Sequence, residues 1–442
     1  MVRQVSEARG REDGDRTAVT GRGAVDRELQ HHAELDRRLV EAAKPIKILS
    51  HLEWPARAYH EFVKGWRAGR PALPVVETPK LEFAESAREL RAVADACDAS
   101  HPVGQYVRDT ADSYITAARM LESTGTPAFT QLSGELYGRP GNGFGVGDLT
   151  NLDAAQHFIR ASDDLTAQCS RRDEDVRLTP ESVAETLRCL VAPFFKEHPF
   201  DVLVEADLAS RAAAGARRLR LRGHTAFHPA DIGQLLQHEA YVHSATMLNG
   251  REQPHLKSLG LGAPRTTMTQ EGLATFAELI TTTIDLSRLR RIALRIEAIH
   301  RALEGADFIE VCRFYRDAGQ NLDDSYHSTM RVFRGGDVRG RVVFTRDVIY
   351  VQGLVFTHTF LRKAIEAGRA DYPSYLFAGR LAWGDVLALE PFFRSGFLAG
   401  PLLQPDWAAN LLCLAAYLTW SVFANRIHLG DIKLDDFRHR QP

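Results

Sequence analysis

His238-Glu239-Ala240-Tyr241-Val242-His243 places two imidazoles and a carboxylate within six residues. Neutral imidazole nitrogen suits zinc, and a neighbouring carboxylate can take the proton from a water that zinc has acidified. The spacing exceeds the H-E-x-x-H pattern of many metallopeptidases by one residue. On a regular helix, positions four apart lie about 40° apart around the axis, and positions five apart about 140°. Ligands so divergent cannot share one ion. The segment therefore predicts a helix widened by a π-bulge, or one that ends near Tyr241 and leaves His243 on a turn. Taken by itself, the hexapeptide is equally well read as ordinary helix surface or core.

A catalytic zinc site usually has three protein ligands and one open position. The next helical stretch, expected from Gln270 to about Thr282 with Thr269 as its cap, offers Glu271 in its first turn. Glu278 lies two turns later on roughly the same face and is the rival. A carboxylate in a first helical turn also has a plain role against the helix dipole.

Gln270-Glu271-Gly272-Leu273-Ala274 follows H-E-x-x-x-H with Asn249-Gly250-Arg251-Glu252-Gln253-Pro254 between them. On these motifs the chain resembles the bacterial QEGLA-motif proteins and is similar to the eukaryotic microtubule-associated tyrosine carboxypeptidases. The likeness spans roughly residues 130–400, with Glu135-Leu136-Tyr137-Gly138 upstream and Phe344-Thr345-Arg346-Asp347 downstream. It implies a zinc metallopeptidase, one Zn2+ per chain, that removes a C-terminal residue, tyrosine or another aromatic, from a peptide or protein tail. It further implies His238, His243 and Glu271 as metal ligands, favouring Glu271 over Glu278, and Glu239 as general base.

Such a reaction needs a donor for the tetrahedral oxyanion, for which Tyr350, His327 and Tyr326 are candidates. It also needs a cation for the substrate's terminal carboxylate, best a bidentate arginine. Arg331 and Arg334 stand beside Gly335-Gly336. Arg346 falls in the turn of a hairpin expected over Val342–Val351. Two other functions stay open on the residues: a zinc amidase acting on a non-protein amide, and a non-enzymatic regulatory protein with a structural metal.

The elements that must position these groups can be read from periodicity and breakers. Arg217–Arg222 alternates as a strand, and Pro229 opens the helix that carries the hexapeptide and stops near Asn249-Gly250. Residues 27–69 read as helix divided by Pro45 and Pro55. Leu81–Cys97 and Val107–Ser123 are further helices, separated by a break at Pro102. None of these N-terminal helices offers an evident ligand cluster. The glycine-rich segment Gly138–Asp148 lacks G-x-G-x-x-G spacing and reads as a loop.

These features give an α+β fold, predominantly α: a helical zinc-metallopeptidase core with a small β-sheet or hairpin. Residues 1–28 form a polar tail expected to be disordered, residues 29–130 a helical region, and residues 131–442 the catalytic core, continuous with 29–130. The chain's 442 residues suffice for a large core, and its net charge of −2 gives no general attraction to nucleic acid or an anionic membrane. Trp407–Ala424 is apolar but broken by Asn410, Thr419 and Ser421, which suits a buried core helix better than a membrane span. Five scattered cysteines without a C-x-x-C pair argue against a disulfide framework and for the cytoplasm.

Overall fold

The computed structural model of the chain describes residues 14–427 and 430, except 79, 146, 170–175, 207 and 209. The expected tail lies outside the described residues over 1–13, and from Gly14 the chain enters the helix Gly14–Ala43. The fold is α+β and mostly helical, with a single three-stranded sheet among the described residues.

The prolines act as the sequence predicts. Helix Gly14–Ala43 stops before Pro45, Ile48–His51 forms one turn, and Ala56–Arg67 begins after Pro55. Pro102 corrects the expectation of a break. It occupies the first turn of helix Pro102–Glu122, where its missing N–H is no loss, and His101 caps that helix by accepting the Val103 N–H.

The sheet consists of β1 (Asp201–Glu205), β2 (Ala212–Gly215) and β3 (Arg218–Arg222), in the order β1-β3-β2. β3 pairs in parallel with β1 and antiparallel with β2. Its alternation buries Leu219 and Leu221 beside Val183, Leu187 and Val191 of helix Pro180–Phe195 and Ala240 and Ala245 of the hexapeptide's helix. This apolar cluster fixes the sheet against the segment that carries His238 and His243. A second and larger cluster runs from Leu35 to Leu418 and includes Leu273, Phe276, Ile299, Tyr326 and Leu354.

Two expectations are corrected here. No hairpin forms over 342–351. Residues 342–345 are irregular, Arg346–Val348 is a 3-10 turn, and Ile349–Glu366 is an α-helix. A short run that is buried on every side does not distinguish strand from helix by periodicity. The apolar stretch from Val348 to Val351 is the start of a buried helix that continues through Leu354 and Leu361.

The second correction concerns the C-terminal apolar run, which is not a fully buried core helix. Helix Leu411–Ala424 packs through Leu414 and Leu418, four residues apart, while Leu412, Trp420 and Phe423 stay exposed. Among the described residues no helix is long and apolar enough to cross a membrane.

Candidate metal centre and its cavity

Helix Pro229–Leu235 starts as expected, with His228 in a capping box with Asp231. It then passes into a π-helix over Leu236–Ser244 before returning to α-helix at Ala245–Glu252. The bulge demanded by the histidine spacing is therefore present. With i→i+5 winding, residues five apart stack one turn above another, so His238 and His243 face the same side. Their ring centroids are 4.8 Å apart and nearly perpendicular.

The third group comes from helix Thr267–Ile280. It begins three residues earlier than the expected Gln270, so Thr269 is inside it and Glu271 is in its second turn. Each residue of Q-E-G-L-A has a physical task there. The Gln270 side-chain oxygen accepts from the Thr246 hydroxyl at 2.8 Å, tying this helix to the end of the π segment. Gly272 faces Gly353 of helix Ile349–Glu366, and a Cβ at 272 would stand 2.2 Å from the Gly353 carbonyl oxygen. Only glycine allows the two helices this approach. Leu273 and Ala274 fill the core.

Glu271 Oε2 lies 3.4 Å from His238 Nε2 and 3.5 Å from His243 Nε2, all three residues being buried. Tetrahedral zinc with bonds of about 2.0–2.1 Å would separate its ligands by about 3.4 Å. The same distances are at the outer limit for hydrogen bonds, and Glu271 Oε2 has no hydrogen-bond partner among the described residues. A buried carboxylate oxygen without a partner, converging with two imidazoles, fits a divalent metal site.

The surrounding groups hold the three in place. Glu271 Oε1 accepts from Arg346 Nη2 at 2.9 Å, which leaves Oε2 turned towards the histidines. The Glu278 carboxylate lies 2.6 Å from His238 Nδ1. Glu278 is itself clamped by Arg288, whose Nη2 and Nε donate to it at 2.9 and 3.1 Å. The rival to Glu271 is thus placed to orient His238, since a carboxylate at this nitrogen fixes the imidazole's tautomer and raises its basicity.

Burial by itself would lower the His238 pKa, but the Glu271 and Glu278 carboxylates outweigh it and raise the value to about 10. Burial would likewise raise Glu278, yet Arg288 and His238 hold it down to about 2. Glu271 is pushed up by desolvation and pulled further down by His238, His243 and Arg346, so it remains ionised.

The centre opens into a cavity of about 660 Å³ whose lining includes His238, Glu239, His243, Glu271, Tyr350, Tyr114 and Tyr137. Arg331, Arg346 and Tyr350 all line it. Arg331 is engaged by Asp347 through two bonds of 2.6 and 2.7 Å. Tyr350 carries the Arg295 guanidinium over its ring at 4.8 Å. Arg334 is buried over the Phe344 ring. Tyr326 is buried in the aromatic core with Tyr59, Phe62 and Phe308. His327 borders both this cavity and an adjoining one of about 1900 Å³. Burial depresses the His327 pKa to about 4.

Sequence reasoning missed Arg288 and Arg380, which carried no motif, and the orienting role of Glu278, whose place on the Glu271 face was the available signal. It also missed a second gathering of ligand types. Glu28, His32 and His101 lie within 4.8 Å of one another. The chemistry there does not fit an ion. His32 Nε2 accepts the Asp98 N–H at 3.4 Å and His101 Nδ1 accepts the Val103 N–H at 3.2 Å. A neutral ring that accepts on one nitrogen carries its proton on the other, so neither offers a second lone pair.

Residues 60–426 match the model of a protein family described as microtubule-associated tyrosine carboxypeptidase. The match begins well before residue 130, where the motifs place the start of the likeness, and so takes in the helices from 84 to 122. None of the curated proteins matches the chain.

Proposed function

The chain belongs to the microtubule-associated tyrosine carboxypeptidase family, and from that premise we propose that it is a zinc-dependent carboxypeptidase acting on peptide or protein C-terminal tails. One observation carries the zinc assignment: His238 Nε2 and His243 Nε2 converge at 3.4 and 3.5 Å on Glu271 Oε2, an oxygen with no hydrogen-bond partner among the described residues. Tyr114, Tyr137, Leu261 and Ala263 along the cavity wall support an aromatic final residue. The four described cysteines, Cys97, Cys189, Cys312 and Cys413, are free, which supports the cytoplasm as its compartment.

His238, His243 and Glu271 would hold the ion, with Glu278 and Arg346 fixing the first and third of these. Zinc, when bound, supplies Lewis acidity that eases deprotonation of water and polarises a carbonyl. Glu239 stands next to His238 in the chain and lines the same cavity. It accepts the proton of the attacking water and delivers it to the departing amine. Tyr350 and the arginines beside it supply donors and positive potential where negative charge develops. Arg331 and Arg346 contribute to that field while held by Asp347 and Glu271.

The test is a mass-spectrometric assay of tail peptides with zinc-loaded protein and a Glu239→Gln variant. The reading expects loss of the final residue by the wild type. It expects the variant to keep its zinc and lose turnover by at least about 100-fold. Full turnover by the variant would overturn the mechanism. Cleavage of amidated peptides in preference to free acids would favour an amidase.

A further inference from the structure

A carboxypeptidase must recognise a carboxylate one residue beyond the bond it cuts, a span of about 3.8 Å along the chain. The group that does so must reach the cavity beside the metal centre and must not already be neutralised by a carboxylate of its own. The cavity's arginines can be sorted on that criterion. Arg331 is paired with Asp347 at 2.6 Å, Arg346 with Glu271 at 2.9 Å and Arg288 with Glu278 at 2.9 Å. Arg211 and Arg291 both approach Asp231, at 3.0 and 4.0 Å, and Arg295 is 3.9 Å from Asp347. Arg222 contacts Thr225 where the two cavities meet.

Arg380 differs from the carboxylate-paired arginines and, unlike Arg222, contacts the backbone of His243. Among the described residues no carboxylate lies within ion-pair distance of it. Its Nη2 reaches the His243 carbonyl oxygen at 3.3 Å, and its buried Nε has no partner. We infer that Arg380 is the residue that binds the terminal carboxylate of the substrate, an inference that rests on the peptidase reading above.

Three further observations agree. The contact with His243 puts the guanidinium beside the backbone of a proposed metal ligand, and Arg380 lines the same cavity as His238, His243 and Glu271. Gly262 leaves room for it, since a Cβ there would lie 2.8 Å from Arg380 Nη1. The neighbouring backbone also holds the arginine's base, with the Arg380 N–H donating to the Leu259 carbonyl at 2.7 Å. The Arg380 guanidinium is charged at neutral pH, as arginine is throughout proteins. A partly buried guanidinium lacking an anion is costly, and an arriving carboxylate relieves that cost through paired N–H···O bonds.

The inference is tested by comparing one peptide with a free and with an amidated C-terminus, using the zinc-loaded wild type, Arg380→Met and Arg380→Lys. The wild type should prefer the free acid. Arg380→Met should retain stoichiometric zinc and lose about 100-fold in kcat/KM on the free acid, chiefly through KM, with little change on the amide. Arg380→Lys should keep part of the preference, because it restores the charge without the planar fork.

Equal losses on acid and amide, or lost zinc in both variants, would mean that Arg380 only braces the His243 carbonyl. An undiminished preference in either variant that folds would also overturn the inference. If the wild type cuts neither peptide, the peptidase reading itself fails, an outcome separate from these.

Discussion

At the scale of single residues, the proposed centre without metal holds a proton that a bound zinc would have to displace. His238 has its pKa raised to about 10 and so is protonated at neutral pH without metal, whereas a ligand nitrogen must be bare. Zinc binding at pH 7 is therefore expected to release at least one proton, and its affinity to rise with pH. Calorimetry in buffers of different ionisation enthalpy reads that number directly, and a pH-independent affinity would contradict it. Glu278→Gln should weaken zinc binding by about 10–100-fold, as removal of a ligand-orienting carboxylate does elsewhere.

The two partners also give opposite stability signs in the metal-free protein. His238 has a raised pKa, so its contribution is complete below its unfolded value near 6.5 and fades as pH rises towards 10. Glu278 has a depressed pKa, so its contribution is present above about 4.3 and fades as pH falls towards 2. Chelated protein should melt highest between these limits.

At the scale of elements, the one-residue excess between His238 and His243 dictated a distorted helix, and the π-helix Leu236–Ser244 supplies it. That geometric argument was legible in sequence because ligand direction follows directly from residues per turn. The expectation of a hairpin over 342–351 failed because near-continuous burial from Val343 to Leu354 erased the alternation that separates strand from helix. The role of Gly272 was equally hidden, since it depends on close approach to Gly353, a residue of a helix distant in sequence. It now gives a prediction. Gly272→Ala puts a Cβ 2.2 Å from the Gly353 carbonyl oxygen, and forcing these buried helices apart should cost about 1–3 kcal/mol or more. Thermal unfolding should show a clear drop in Tm together with weaker zinc retention, because Glu271 is the next residue. An unchanged Tm would mean that the helix pair has slack that the packing does not show.

At the scale of the whole molecule, the segment between the two sequence motifs fastens the C-terminal region to the candidate centre. Asn249 Nδ2 donates to the Phe377 and Leu403 carbonyls at 2.7 Å each, and its Oδ1 accepts the Leu403 N–H at 2.9 Å. Gln253 does the same with Ala378 and Ala399. Four residues separate these two amides, one helical turn, so both face the same side of the Ala245–Glu252 helix and its cap. Asn249→Ala would strand three buried backbone groups and is expected to cost about 3 kcal/mol or more of stability, read by denaturant unfolding. A loss under 1 kcal/mol would show that the C-terminal region is held mainly by apolar packing. The sequence predicts a stop near Asn249-Gly250, whereas the helix runs on to Glu252; it gives no sign of what the amides hold, because their partners lie more than 100 residues away.

The most direct test of the account is a crystal of zinc-loaded protein measured at the zinc absorption edge. The account predicts one anomalous peak per chain, about 2.0–2.2 Å from His238 Nε2, His243 Nε2 and Glu271 Oε2, with Glu239 facing the open side. Absence of a peak there at saturating zinc, or a single peak at Glu28, His32 and His101 instead, would contradict it.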